Sequence, residues 1–297
     1  MADNITAVVT GGTRGIGRAV AAEFARRGVR VVVVARDRER GEQAVAELGN
    51  GAELVTGDLS LLSDVRAVAD RLLERCDRID VLVHNAGVWP TRLVRTADKL
   101  EESFTVNHLA PFLLNHLLEE RLVADRTRIV QLTAGLYAKG QLDLRRTPIG
   151  ADFHRVRTYA TTKLANLLTV PLFARRWEDT GIRIDAIHPG VVNTALGAGG
   201  GLRGLVLKGI KRAWAPPEIA ALPVVRLTFA PADGPSGRYF DCERPVDLAP
   251  VATDEGLAQV VWEQAVDLTD LGPSAAPPPL PDPVAPVTPP EAPEHEE

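Results

Sequence analysis

A single-domain α/β fold, a doubly wound parallel sheet with helices on both faces, is what this sequence predicts, on three observations. Short β-branched runs alternate with amphipathic helical patterns along most of the chain. A glycine-rich turn, Thr10-Gly-Gly-Thr-Arg-Gly-Ile-Gly17, separates the first such run from the first helical pattern. The second run, Val31–Val34, is uninterrupted valine, which suits a strand buried on both faces.

The first strand is Ile5–Val9, and Ile16, Val20 and Phe24 share one face of the helix that follows. Gly11, Gly15 and Gly17 therefore lie at a strand-to-helix turn, where a helix N-terminus can bind a dinucleotide pyrophosphate. Their Gly-x-x-x-Gly-x-Gly spacing allows a slightly wider turn than G-x-G-x-x-G. The second strand runs out into Ala35-Arg36-Asp37. An acid here suits a ribose 2′-hydroxyl, as Asp37 would, and an arginine suits a 2′-phosphate. Arg36 beside Arg14 of the glycine turn favours NADP(H), because guanidinium forks match phosphate oxygens. Further strands are expected at Ala52–Val55, Val81–His84, Arg128–Leu132, Arg183–His188 and Gly237–Phe240. Helices are expected at Ser63–Leu73, Lys99–Leu117, Arg157–Glu178 and Asp254–Leu268.

The third of these helices carries Tyr159-Ala-Thr-Thr-Lys163. Residues four apart share a helix face, so the lysine ammonium can lie near the phenol. A cation there lowers a phenol pKa from about 10 toward neutrality, as proton exchange with a substrate oxygen requires.

Residues 1–272 read as one domain and 273–297 as a disordered, proline-rich acidic tail without aromatic residues, lysine or arginine. Its acids Asp282, Glu291, Glu294, Glu296 and Glu297 match the formal net charge of −5, leaving the body neutral. That balance argues against nucleic-acid binding. Cys76 and Cys242 are too few for a disulfide framework, and the six histidines show no metal-binding spacing. No apolar run approaches the roughly eighteen residues needed to span a bilayer, so the expectation is a soluble cytoplasmic protein acting on a small molecule, with no membrane partner.

Taken in order, TGGTRGIG at 10–17, Asp58-Leu59, His84-Asn-Ala-Gly87, Val106-Asn107-His108, YATTKLAN at 159–166, His188-Pro-Gly190 and Ser236-Gly-Arg-Tyr-Phe240 resemble the short-chain dehydrogenase/reductase family, in its retinol-dehydrogenase-like branch. The similarity runs from about Ile5 to Leu271 and implies a Rossmann-like fold. It implies that Gly11, Thr13, Arg14, Gly15, Ile16 and Gly17 line the pyrophosphate and ribose site, and that Arg36 selects NADP(H). Asp58 and Leu59 would meet the adenine, Asn85, Ala86 and Gly87 the adenine-side ribose, and Pro189, Gly190, Val192 and Thr194 the nicotinamide end. Tyr159 would exchange the proton, Lys163 would bind the nicotinamide ribose and depress the phenol pKa, and Asn107 would hold a water in the proton path.

One departure matters. The family's catalytic serine at the end of the fifth strand aligns with Ala134, and only the neighbouring Thr133 offers a hydroxyl. Neighbours on a strand point to opposite faces, so Thr133 serves only if the strand end is twisted or bulged. His84 stands where the family has asparagine and reads as a satisfied core histidine. A substrate lid is expected at 195–217, and the insert 140–156 lies near the site mouth. The leading function is an NADPH-dependent reductase, or the reverse dehydrogenase, for a carbonyl or alcohol of a lipophilic or aromatic molecule. The missing serine leaves open a dehydratase, cyclase or isomerase, or a non-catalytic NADP(H)-binding partner protein. A homodimer or homotetramer is the expected assembly.

Overall fold

The structure is a computed structural model describing residues 5–190 and 216–279. Strands β1 (Thr6–Thr10), β2 (Arg30–Ala35), β3 (Glu53–Thr56), β4 (Val81–His84), β5 (Arg128–Leu132), β6 (Arg183–His188), β7 (Tyr239–Asp241) and β8 (Arg244–Pro245) form one sheet in the order β3-β2-β1-β4-β5-β6-β7-β8. All neighbours pair in parallel except β7 with the two-residue β8, an antiparallel edge the sequence did not announce. The order turns back between β1 and β4, and in such sheets the crevice beyond the carboxyl ends at the reversal is where ligands bind.

The valine runs form strands because both faces of each are covered. Val8, Val32, Val34 and Leu82 join one core, with α3 (Leu62–Arg75), α5 (Ala110–Leu117), α7 (Arg155–Arg176) and α9 (Glu255–Leu268). Val9, Val31, Val33 and Val83 join the other, with α1 (Gly15–Arg26) and α8 (Pro217–Phe229). Side chains alternate across a strand, so a core on each face requires the continuous apolar run rather than an alternating one. Phe24 of α1 meets Phe229 of α8 edge-on, with ring centroids 5.7 Å apart. Helices α2 (Arg38–Leu48) and α6 (Glu119–Asp125) complete the described layers.

Two expectations are corrected. The helix read as Lys99–Leu117 is interrupted: α4 covers only Glu102–Phe104, Thr105–Leu109 form a π turn, and α5 follows. Lys99 has φ of 63°, outside helical space, and the buried Glu101 carboxylate accepts from the Phe104 N–H at 2.7 Å, fixing the start there. The expected lid at 195–217 lies outside the described residues up to 215, and its last residue, Pro217, opens α8.

The second correction concerns the first seven residues of the tail. Residues 273–279 lie against the domain, with Ala275 buried. Side-chain donors from α7 and α9 meet the backbone carbonyls of this segment. Trp262 Nε1 donates to Ala275 O at 2.7 Å, Gln259 Nε2 to Pro278 O at 2.7 Å, and Arg176 Nη2 to Ser274 O at 2.8 Å. Composition predicted disorder because it describes the segment alone, without the donors it docks on. A chain ending at Leu271 loses the hydrogen bonds from Trp262, Gln259 and Arg176, each worth about 0.5–1.5 kcal/mol. It is expected to melt several degrees below the full chain in calorimetry; equal melting temperatures would show that the docked segment adds nothing.

Candidate active site

The glycine turn is held by the carboxyl end of β4. Asn85 Nδ2 donates to Thr10 O at 2.8 Å and Gly11 O at 3.2 Å, and the N–H groups of Asn85 and Ala86 both donate to Thr10 Oγ1 at 3.0 Å. The close approach explains two glycines. A Cβ at Gly17 would sit 2.2 Å from Asn85 Nδ2, and Gly11 has φ of 68° with Ala86 Cα 3.0 Å from its notional Cβ. Arg14 precedes α1 in extended conformation, and no side chain caps the first turn of that helix. Its first residues, Gly15 and Ile16, line a cleft of about 630 Å³ that also takes in the ends of β2, β4 and β5.

At one end the cleft is lined by Arg14, Arg36, Asp37, Arg40 and Asp58. Asp37 is spent on α2: it accepts from Arg40 N at 3.1 Å and pairs with Arg40 Nε at 3.2 Å. Arg14 and Arg36 are exposed and make no ion pair or side-chain hydrogen bond among the described residues. Asp58 Oδ1 accepts from Ser60 N at 2.9 Å.

The other end is lined by Leu132, Thr133, Tyr159, Lys163, Val106 and Pro189. Tyr159 and Lys163 are both buried, on one face of α7. Lys163 Nζ donates to Leu132 O at 3.2 Å and sits 5.6 Å from the Tyr159 ring centroid. Burial pushes the lysine pKa down to about 8 and the phenol up to about 12. The phenol drawn toward neutrality by its lysine is thus not found in this environment: removal from water raises it, and no described residue hydrogen-bonds the hydroxyl. Thr133 N donates to Ile187 O at 2.8 Å, extending the ladder one residue past β5. Its Oγ1 is buried without a hydrogen-bond partner among the described residues, while Ala134 is not among the lining residues.

Of the residues expected at the site, Gly11, Thr13, Arg14, Gly15, Ile16, Arg36, Asp58, Leu59, Asn85, Ala86, Gly87, Thr133, Tyr159, Lys163 and Pro189 line this cleft. Gly17 and Gly190 do not, and Val192 and Thr194 lie outside the described residues. Asn107 is not a lining residue either. Its Oδ1 accepts from Val88 N at 2.8 Å, and its Nδ2 donates to Val88 O at 3.0 Å and Thr162 Oγ1 at 3.1 Å, so the amide pins the segment after β4 to α7. His84 is buried, bonded to Asn115 Oδ1 at 2.8 Å and lowered to about 4 by burial. Arg40 and Trp89 were missed; Arg40 follows the second strand like the noted arginines, whereas nothing in the sequence brings Trp89 to Tyr159. Among the described residues no group of three or more His, Cys, Asp or Glu is set to hold a metal, and no helix is long and apolar enough to cross a membrane.

The model of a family described as short chain dehydrogenase matches residues 5–199. The chain belongs to the short-chain dehydrogenase family. This short-chain dehydrogenase is 38% identical over 283 residues to dehydrogenase/reductase SDR family member 13 of Bos taurus, covering 90% of this chain and 74% of that protein. It is 35% identical over 285 residues to retinol dehydrogenase 14 of Mus musculus, covering 87% and 84%. A Streptomyces sp. (strain C5) protein named as a daunorubicin C-13 ketoreductase is 35% identical over 275 residues, covering 87% and 90%. A crystal structure of a Mycobacterium paratuberculosis protein superposes with a TM-score of 0.73 at 27% identity, covering 90% and 94%. An alcohol dehydrogenase from Thermococcus sibiricus, complexed with 5-hydroxy-NADP, gives 0.60 at 25% identity, covering 82% and 99%. The short-chain dehydrogenase is thus an NAD(P)-dependent oxidoreductase of the retinol-dehydrogenase-like branch, interconverting a carbonyl and an alcohol on a small molecule.

The buried lysine makes the site costly to the fold. Lys163 has its pKa lowered from 10.5, so below about pH 8 the fold holds an ammonium that the unfolded chain would hydrate better. A drop of this size corresponds to roughly 3 kcal/mol. Stability is regained as pH rises from 8 toward 10.5, where the unfolded chain binds more protons. Lys163→Met is expected to melt higher than the wild type at pH 7, with the gap narrowing toward pH 10; a lower melting temperature at pH 7 would refute the assigned strain.

Proposed function

We propose that the protein is an NADPH-dependent carbonyl reductase for lipophilic or aromatic small molecules, able to run in reverse, with Tyr159 as proton donor and acceptor. The observation that carries the reading is one cleft joining an uncapped helix N-terminus and two unpaired arginines at one end to Tyr159, Lys163 and a buried unpaired hydroxyl at the other. Those groups fit a phosphorylated nicotinamide dinucleotide. The α1 N–H groups suit its pyrophosphate, Arg14 and Arg36 its 2′-phosphate, and Lys163 its nicotinamide ribose. When bound, that cofactor supplies or takes the hydride at the carbonyl carbon. The relative named as a ketoreductase supports the reductive direction.

The protein's own share is proton transfer and polarisation. A phenol held near 12 keeps its proton at neutral pH, which suits a general acid for reduction. A cofactor-oriented Lys163 ammonium would stabilise the phenolate left behind. Thr133 would supply the hydroxyl that Ala134 lacks: it lines the same cleft as Tyr159, and its buried Oγ1 has no partner among the described residues. Asn107 stands as a positioning residue, through the amide that ties α7 to the segment after β4.

Stopped-flow NADPH oxidation with lipophilic ketones, aldehydes and quinones tests the reading. Tyr159→Phe is expected to abolish turnover, and Thr133→Val to lower kcat by about 10²-fold, both with near-native NADPH affinity; turnover unchanged by Tyr159→Phe would overturn it. Removing the Arg36 guanidinium by Arg36→Ala is expected to weaken NADPH binding by about 10- to 100-fold and NADH binding little. Equal losses for both cofactors would assign the 2′-phosphate site elsewhere.

A further inference from the structure

We infer that Trp89 is the residue that positions the Tyr159 phenol, as an aromatic backing plate tied to the start of the helix that carries the tyrosine. This inference rests on the role proposed for Tyr159. The Trp89 and Tyr159 rings lie 4.4 Å apart between centroids and 12° from parallel, an offset stack of the kind aromatic pairs favour. Such a stack fixes the phenol only if the indole is itself restrained. Trp89 has that restraint. Its Nε1 donates to Arg155 O at 2.7 Å, and Arg155 opens α7, one helical turn before Tyr159. The same helix is held to the preceding residue, Val88, through Asn107 and Thr162.

Trp89 therefore bridges the segment after β4 to the first turn of α7 and covers the tyrosine ring on the way. It does not line the cleft, whereas Tyr159 and Val88 do. Its effect on chemistry then passes through the tyrosine, not through contact with substrate. The phenol can rotate about only two side-chain bonds, and the stack together with the fixed indole selects one ring plane. Positioning of this kind matters because an error of about 1 Å in a reacting group costs about 10²-fold in rate. The plate also keeps water from one ring face, in keeping with the raised phenol pKa. Among the described residues, Lys163 of the same helix is a charged group near the Tyr159 ring. Trp89, which stacks on that ring, and Val88, Val106, Leu132 and Thr133, which line the same cleft, do not titrate.

The experiment compares wild type, Trp89→Ala and Trp89→Phe in three measurements. Trp89→Ala is expected to lower kcat by about 10- to 100-fold with KM and NADPH affinity within about twofold. Trp89→Phe, which keeps a flat ring but loses the N–H, is expected to recover most of that loss. Tyrosinate absorbance after rapid alkaline pH jumps, read against Tyr159→Phe to isolate the one phenol, needs no turnover. There Trp89→Ala should move the Tyr159 titration toward the ordinary value, and Trp89→Phe should leave it near the wild type. A wild-type kcat and an unmoved phenol titration in Trp89→Ala would overturn the inference. So would a rise in KM alone, which would make Trp89 a substrate contact. If Trp89→Ala does not fold, Trp89→Leu takes its place with the same expectations. If the wild type reduces no carbonyl, the proposed function fails on its own, and the phenol titration still decides the role of Trp89.

Discussion

Thr10 and Asn85 close the seam between β1 and β4, and the geometry of the cleft follows from that closure. The hydroxyl of Thr10 takes the two N–H groups that β4 presents as it ends, and the amide of Asn85 takes the carbonyls that β1 presents as it enters the glycine turn. Backbone groups at a strand end have lost their ladder partners and must find others when they leave the water. Here they find each other across the reversal point of the sheet. The turn is thereby pulled so close to Asn85 that position 17 has no room for a side chain, and α1 starts at the crevice without a side-chain cap. Val88, a few residues beyond the same seam, is held by Asn107 and so sets where α7 stands.

The two ends of the cleft are built on opposite electrostatic terms. At the arginine end the charges are exposed, well hydrated and cheap to maintain, and they gain most when a phosphate arrives. At the tyrosine end the groups are buried, and both the ammonium and the phenolate are disfavoured by the loss of water. A site of this kind is held in place by the rest of the fold, against its own local preference. The cores on the two sheet faces supply that excess, from valines and leucines that have no part in the chemistry.

Most of this was legible in the residues. The valine strands, the glycine turn and the Tyr159/Lys163 spacing are local patterns, and local patterns survive folding when burial agrees with them. Fifteen of the expected site residues border the cleft for that reason. What could not be read depends on distant partners. Glu101 stops a helical pattern that continues through Lys99, because its carboxylate caps the turn after it. Residues 273–279 dock because Trp262, Gln259 and Arg176 offer donors that composition does not count. The phenol rises rather than falls because the spacing of Lys163 says nothing about how deeply the pair is buried. The stack of Trp89 on Tyr159 joins residues seventy positions apart and left no periodic trace.

The π turn at Thr105–Leu109 has a consequence for how this chain is compared with others. A π turn closes its hydrogen bond over one residue more than an α turn does. That extra residue rotates everything after it by roughly 100° about the helix axis relative to an unbroken helix. Asn107 lies within the widened turn, while His108 at its far side reaches Asn166 and Phe112 packs against Trp262. A homologue one residue shorter here would therefore keep its asparagine and lose the alignment of its inward face. Pairing the two sequences without a gap at this turn would equate side chains that face different neighbours.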